Sequence, residues 1–211
     1  MDDTECRVAA VREVGPDTVA IDIETPDDFS ARPGQFVKLT FEVDGEEEPR
    51  FYTISSPDVE DTFEITVGID PEGTVAPVLA DLDAGNTVTV AGPFGSDYYE
   101  DEPRAVILAG GPGVGPAVGI AERALAEGNE VAIVYRDDAP VHEDRLSGIE
   151  ADGGLVQVLD SDEDLTEATA DALADGGQLF VYGFADFIDA ATEAVEAAGG
   201  TTEDAKIENF G

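Results

Sequence analysis

Four short motifs carry the residues best equipped for chemistry. The first, Arg50-Phe-Tyr-Thr-Ile-Ser-Ser56, puts a guanidinium, two aromatic rings and several hydroxyls on one β-prone run. Read as a strand, it sets Tyr52 and Ile54 on one face and Arg50, Phe51, Thr53 and Ser55 elsewhere around the edge. Arg can clamp phosphate oxygens through two bonds. Tyr offers a flat stacking surface, and Thr or Ser can donate to ring heteroatoms. Such a strand suits a ligand with a phosphate and a planar ring; it equally suits a solvated edge with one buried aromatic. The second motif, Gly110-Gly-Pro-Gly-Val-Gly-Pro116, sits between an apolar run and a helical pattern. Glycines there let the backbone approach a ligand, and the free N–H groups of the helix start attract an anion, typically a pyrophosphate. A plain tight turn is the alternative. The third, Gly92-Pro-Phe-Gly95, reads by itself as a rigid turn between modules. The fourth, Lys206-Ile-Glu-Asn-Phe-Gly211, places a carboxyl and an aromatic ring near the last residue. His142, beside Glu143 and Asp144, reads as a solvated loop residue.

The elements that must position these motifs change character midway. Short runs with strand patterning cover Val8–Val14, Val19–Ile23, Gln35–Phe41, Phe51–Ser55, Phe63–Ile69 and Val88–Ala91, separated by turns such as Pro33-Gly34 and Asp44-Gly45. With one helical interruption near Val75–Leu82, they predict a six-stranded antiparallel barrel. From Arg104 strands and helices alternate: Ala105–Ala109, helix Ala117–Glu127, Glu130–Tyr135, helix Glu143–Ile149, Leu155–Leu159, helix Leu165–Ala174, Gln178–Tyr182, helix Asp186–Ala198 and Ala205–Glu208. That order predicts a Rossmann-like α/β domain with a parallel five-stranded sheet. The acidic stretch Glu100-Asp-Glu-Pro103 marks the boundary, giving domains at 1–101 and 102–211.

Composition narrows the function. Asp and Glu number 49 against 10 Lys and Arg, a net charge of −39. A phosphate-backbone surface needs clustered cations, so nucleic acid is excluded as a partner, as is a basic amphipathic membrane face. An acidic excess spread along the chain is the habit of a halophile's protein, whose self-repulsion is screened when molar salt shortens the Debye length to about 3 Å. Cys6 is the one cysteine, so no disulfide or multi-cysteine metal site forms within one chain. No apolar run approaches the roughly 20 residues that span a bilayer. The start, Met-Asp-Asp-Thr-Glu, lacks the pattern of a signal peptide. The expectation is a cytoplasmic protein.

Taken in order, Pro33-Gly-Gln-Phe36, Arg50-x-Tyr52-Thr53-x-x-Ser56, Gly73-x-x-Ala76, Gly92-Pro-Phe-Gly95, Gly110-Gly-x-Gly-x-x-Pro116, Tyr182-Gly183 and Glu208-x-Phe210 resemble the ferredoxin–NADP reductase superfamily over nearly the whole chain. The resemblance implies a flavoprotein oxidoreductase that moves hydride between NAD(P)H and a flavin, FAD rather than FMN, and passes electrons to an acceptor such as ferredoxin. It implies that Arg50 holds the flavin phosphates, that Phe51 and Tyr52 adjoin the flavin, and that Thr53 lies near its N5. By the same likeness Val67, Gly68 and Ile69 line the phosphate-bearing tail, and Gly73, Thr74, Val75 and Ala76 present a helix start to the pyrophosphate. Gly110, Gly111 and Gly113 would cradle the nicotinamide dinucleotide, with Tyr182, Gly183, Glu208 and Phe210 bordering its ring; Thr53, Glu208 and Phe210 form the implied catalytic set.

Three positions depart from the pattern: Ala76 for a serine, Pro112 for a threonine, and Tyr182-Gly183-Phe184 where Cys-Gly-Pro is usual. They bear on nicotinamide binding more than on flavin binding. Arg136 and Arg145 flank the second strand of the α/β domain, where a ribose 2′-phosphate would be read, and tip the choice of dinucleotide to NADP. Asp137 and Asp138, able to bond a 2′-hydroxyl, keep NAD open. Two further readings stand beside the reductase: an electron-transfer subunit of a larger redox complex, and a flavin- or nucleotide-binding sensor without turnover.

Overall fold

Six antiparallel strands followed by five parallel ones organise the chain in a computed structural model that describes residues 1–211. The first six are β1 (Thr4–Gly15), β2 (Thr18–Glu24), β3 (Phe36–Val43), β4 (Glu46–Thr53), β5 (Thr62–Gly68) and β6 (Thr87–Phe94), with helix α1 (Ala76–Ala80) before the last. They pair in the order β4-β3-β6-β1-β2-β5. An Ile54–Ile65 bridge joins the end of β4 to β5 and closes the barrel. Inside it, Val8, Ile21, Ile23, Val37, Leu39, Ile54, Phe63, Ile65 and Val90 are wholly buried in one cluster.

The expected strand Phe51–Ser55 is corrected: β4 starts at Glu46 and ends at Thr53. Asp44 and Gly45 both adopt left-handed φ, 53° and 84°. A two-residue turn of that kind matches the twist of a hairpin and runs the chain directly back along β3. The acidic Glu46–Pro49 run therefore pairs with Thr40–Val43 despite a loop-like composition.

The second half comprises β7 (Arg104–Gly110), α2 (Val114–Ala126), β8 (Glu130–Arg136), α3 (Glu143–Ala151), β9 (Leu155–Leu159), α4 (Thr166–Leu173), β10 (Gln178–Gly183), α5 (Ala185–Ala197) and β11 (Lys206–Asn209). Its strands are parallel, in the order β11-β10-β7-β8-β9. The central strand β7 is apolar on both faces because helices cover both. Ala105, Ile107 and Ala109 pack with Val118, Ile120 and Leu146; Val106 and Leu108 pack with Leu165, Ala191 and Val195.

The halves meet along β5 and the first turns of α2 and α3. A Cβ at Gly115 would come within 2.8 Å of the Thr66 side chain, and one at Gly119 within 2.8 Å of the Ser55 carbonyl. These two glycines, one helical turn apart, let α2 lie directly on the barrel. On the opposite side Lys206 ties down the segment before β7, donating to the Tyr98 carbonyl at 2.6 Å and pairing with Glu100 at 3.0 Å and Glu102 at 2.6 Å.

Candidate functional site

A cleft of about 470 Å³ opens at the seam. The barrel contributes Arg50, Phe51, Tyr52 and Thr53 from β4, and Thr66, Gly68, Ile69 and Asp70 from β5 and its exit. The α/β half contributes Pro112, Pro116, Phe184 and Phe210. Sequence-distant motifs thus converge. The chain's left-handed turn at Asp17 also reaches the cleft; the sequence reads Gly15-Pro16-Asp17 as a turn but assigns neither Asp17 nor Asp70 to a site. Phe184 and Phe210 meet edge to face, ring centres 6.2 Å apart, at the α/β wall. The Phe210 N–H donates to the Gly183 carbonyl at 3.1 Å, which seats the end of the chain on β10.

Burial pushes the Tyr52 phenol up to about 12, against the opposing pull of Arg50. Tyr52 is therefore neutral at working pH and presents a flat, half-buried ring. Arg50 donates to its neighbours, Glu48 at 3.1 Å and the Pro49 carbonyl at 2.8 Å. An anion in the cleft would draw it from that half-buried pairing between near neighbours on one strand. At Gly68 a Cβ would meet no atom within 4 Å, so the open space there belongs to the cleft.

Glu208 on β11 lies against Thr53 on β4, across the seam. Burial pushes its carboxyl up to about 7; the Thr53 hydroxyl pulls it down and Asp97 adds to the rise. A carboxyl that exchanges its proton near neutrality thus stands beside Thr53, which lines the cleft, without lining the cleft itself.

Other expected residues lie outside the lining. Val67 is buried in the barrel core. Gly73, Thr74, Val75 and Ala76 form the turn into α1, after Asp70, with Val75 and Ala76 buried and no side-chain cap. The glycines of the loop after β7 serve packing first. A Cβ at Gly110 would fall 2.3 Å from the Phe187 ring, and one at Gly113 would fall 2.2 Å from the Tyr182 carbonyl. Gly111, at φ 55°, has open space, with only the Asp137 carboxylate 3.9 Å from a built Cβ. Gly183 is likewise closed off by Phe187.

Three placements are corrections. Tyr182 does not border the cleft: it is buried beside Phe180, and its hydroxyl donates to the Asp97 carbonyl at 3.3 Å. His142 is not solvated. It is 4% exposed, and its Nε2 hydrogen-bonds Thr66 Oγ1 at 2.8 Å across the seam. Arg145 is not free to read a phosphate, since it bonds Glu122, Glu64 and the Ser55 carbonyl. The signal that sequence did hold was Gly115-x-x-x-Gly119, a small-residue face marking where α2 meets the barrel. Arg136 stands apart, 5.3 Å from the Phe187 ring, in a groove with Asp162, Glu163 and Asp164.

Burial and Arg145 drive the His142 imidazole down to about 4, with Arg12 adding and Glu64 opposing. The unfolded chain takes that proton near 6.5, so between about 4 and 6.5 it binds more protons than the native state. Stability rises with pH across that window and is lost on acidification, by about 3 kcal/mol in total. Unfolding midpoints of wild type and His142→Gln, measured from pH 4 to 7, should converge at the acid end; parallel profiles would contradict the placement.

Residues 5–99 match the family model for the oxidoreductase FAD-binding domain. The glycine betaine monooxygenase reductase subunit of Chromohalobacter salexigens is 45% identical over 92 residues, 42% of this chain and 25% of that protein. The chain spans about a quarter of the length of the first such relatives. The ferredoxin reductase component of 3-ketosteroid-9-alpha-monooxygenase from Mycolicibacterium smegmatis is 30% identical across 98% of this chain and 65% of its own. A Neisseria gonorrhoeae ferredoxin NADP+ reductase, solved with FAD and NADP, superposes with a TM-score of 0.85 at 18% identity, each chain fully covered. No helix is long and apolar enough to cross a membrane. Residues 5–99 are thus similar to an oxidoreductase FAD-binding domain, and the chain as a whole has the two-module fold seen in ferredoxin–NADP+ reductase.

Proposed function

We propose that this chain is an NAD(P)H-dependent FAD oxidoreductase that delivers electrons to a separate redox protein, ferredoxin among the candidates. The observation that carries this reading is the convergence of Arg50, Tyr52 and Thr53 with Phe184 and Phe210 at one cleft between the modules, with Glu208 beside Thr53. Its residues fit a flavin: a flat neutral phenol, a cation with a half-buried local pairing to give up, and open space at Gly68. When bound, a flavin accepts hydride from dihydronicotinamide and releases electrons singly or in pairs. The chain's own residues supply position and charge. In this reading Arg50 holds phosphate, Tyr52 supports the ring and Thr53 faces its reactive edge. Glu208, ionising near 7 beside Thr53, supplies negative charge next to the cleft, while Phe184 and Phe210 wall off water on the α/β side. The loop at Gly111 and the start of α2 receive the dinucleotide.

The division of labour falls between residues 1–101 and 102–211. With Arg145 spent on internal pairs and the Asp137 carboxylate beside the loop at Gly111, 3.9 Å from a built Cβ, the balance moves from NADP to NAD, with NADH the preferred donor. The relatives that are reductase components of oxygenases make an external one-electron acceptor the working expectation. The charge of −39 suits work in concentrated salt within the cell.

The test is anaerobic addition of NADH or NADPH to the yellow protein in molar KCl. Rapid bleaching is expected, faster with NADH; a colour stable to both donors would leave a sensor. Arg50→Ala should lower flavin retention at least tenfold with the fold intact, read by circular dichroism. Full occupancy in that variant would remove its phosphate role.

A further inference from the structure

We propose that Arg145 is a positioning residue: it fixes the distance between the two walls of the cleft, and so the geometry of hydride transfer. This rests on the reductase reading above. From the first turns of α3, the guanidinium reaches three places at once. Nε and Nη2 donate to the two Glu122 oxygens of α2, each at 2.7 Å. Nη1 donates to Glu64 of β5 at 2.7 Å, and Nη2 also donates to the Ser55 carbonyl at 2.7 Å. Glu64 is itself fixed, accepting from Ser55 Oγ at 2.8 Å and from Arg12 at 2.6 Å.

Ser55 follows Thr53 by two residues, so the grip falls on the chain segment that carries the cleft's hydroxyl. Glu122 lies on the helix whose start supplies Pro116 to the opposite wall. One planar fork therefore spans from wall to wall, a geometry lysine cannot reproduce. His142, one turn earlier, repeats the pattern by bonding Thr66, another lining residue. The glycine face of α2 brings the surfaces close but sets no register along them; directional charged bonds do. Hydride transfer needs reacting atoms about 3–3.5 Å apart, and a misplacement of about 1 Å costs on the order of a hundredfold.

Arg145→Met is the first test, with flavin loaded, in molar KCl. The limiting rate of flavin reduction should fall 10- to 100-fold, while the nicotinamide dissociation constant stays within threefold. Arg145→Lys should recover only part of the rate. A second readout needs no flavin: spin labels at Glu47→Cys and Glu193→Cys, in a Cys6→Ala background, report the distance between modules. One narrow distribution is expected for Arg145, and a broadened or shifted one for Met. An unchanged limiting rate, or a slow variant with an unchanged label distance, would overturn the proposal whatever the melting temperature does. If Arg145→Met does not fold, Glu122→Gln loosens the same fork from its outer side. It should slow reduction three- to tenfold, and an unaltered rate would overturn the proposal. A wild-type protein that takes no flavin would instead defeat the reductase reading, and the label distances would still test the latch.

Discussion

Dialysis of the protein from 2 M KCl into dilute buffer should unfold it. Every lysine and arginine except Arg136 already lies within 4.0 Å of a carboxylate. The remaining charge of −39 is spread over a surface of 10,089 Å². Neighbouring excess charges are then about 16 Å apart, against a Debye length of ~30 Å at 0.01 M salt and ~3 Å at 1 M. In dilute buffer each carboxylate feels many others, and in molar salt almost none. The repulsion bears on the whole native state, so the loss is global rather than confined to one loop. Melting temperature against KCl concentration should climb steeply and most of the gain should come below about 1 M, where screening is nearly complete. Sucrose, which stabilises by exclusion but does not screen, should not substitute for KCl. A melting temperature flat within a few degrees from 0.05 to 2 M KCl would overturn the halophilic reading.

The sequence carried the architecture well because its apolar periodicities are strong. Ala105–Ala109 reads as a strand buried on both sides, and β7 is covered on both sides. Local pattern failed where a tertiary partner decided the outcome. Glu46–Pro49 looks like a loop and is a strand, because the Asp44-Gly45 turn delivers it to β3. His142 has two acidic neighbours in sequence, yet the residue that buries it, Thr66, comes from the other module. Arg145 sits where a nucleotide phosphate would be read, but its partners Glu64 and Glu122 stand far away in the chain. At the cleft, Arg50, Phe51, Tyr52, Thr53, Gly68, Ile69 and Phe210 were legible as a set and do come together. Tyr182 was not, since a glycine-flanked aromatic in sequence gives no sign that its hydroxyl is satisfied within the protein. The places of Asp17 and Asp70 at the cleft were not legible among 49 acidic residues, where one more carboxylate carries no information.

Replacing Glu208 by Gln should slow flavin reduction 10- to 100-fold and erase a titration near pH 7, while making the fold more stable in alkali. As a dihydronicotinamide loses hydride its ring becomes cationic, so a carboxylate beside the cleft lowers the barrier more than a neutral group does. The Glu208 carboxyl ionises near 7 because burial and Asp97 hold its proton on, against the Thr53 hydroxyl. The wild-type rate should therefore rise with pH through about 7, and Glu208→Gln should give a flat, low profile. The same ionisation costs the fold. A carboxyl whose native value lies above its unfolded one stabilises fully below about pH 4.5, and that contribution is lost as pH rises through 7. At pH 8 the wild type buries an ionised carboxylate that the amide does not, so Glu208→Gln should be the more stable protein by about 2 kcal/mol once partial exposure is discounted. At pH 4.5 the two should unfold alike. A slow but alkali-stable variant is what a functional charge held at the expense of stability requires. A variant that is slow and unstable at every pH would show Glu208 to be a packing residue, and one that keeps the titration would assign it to another group.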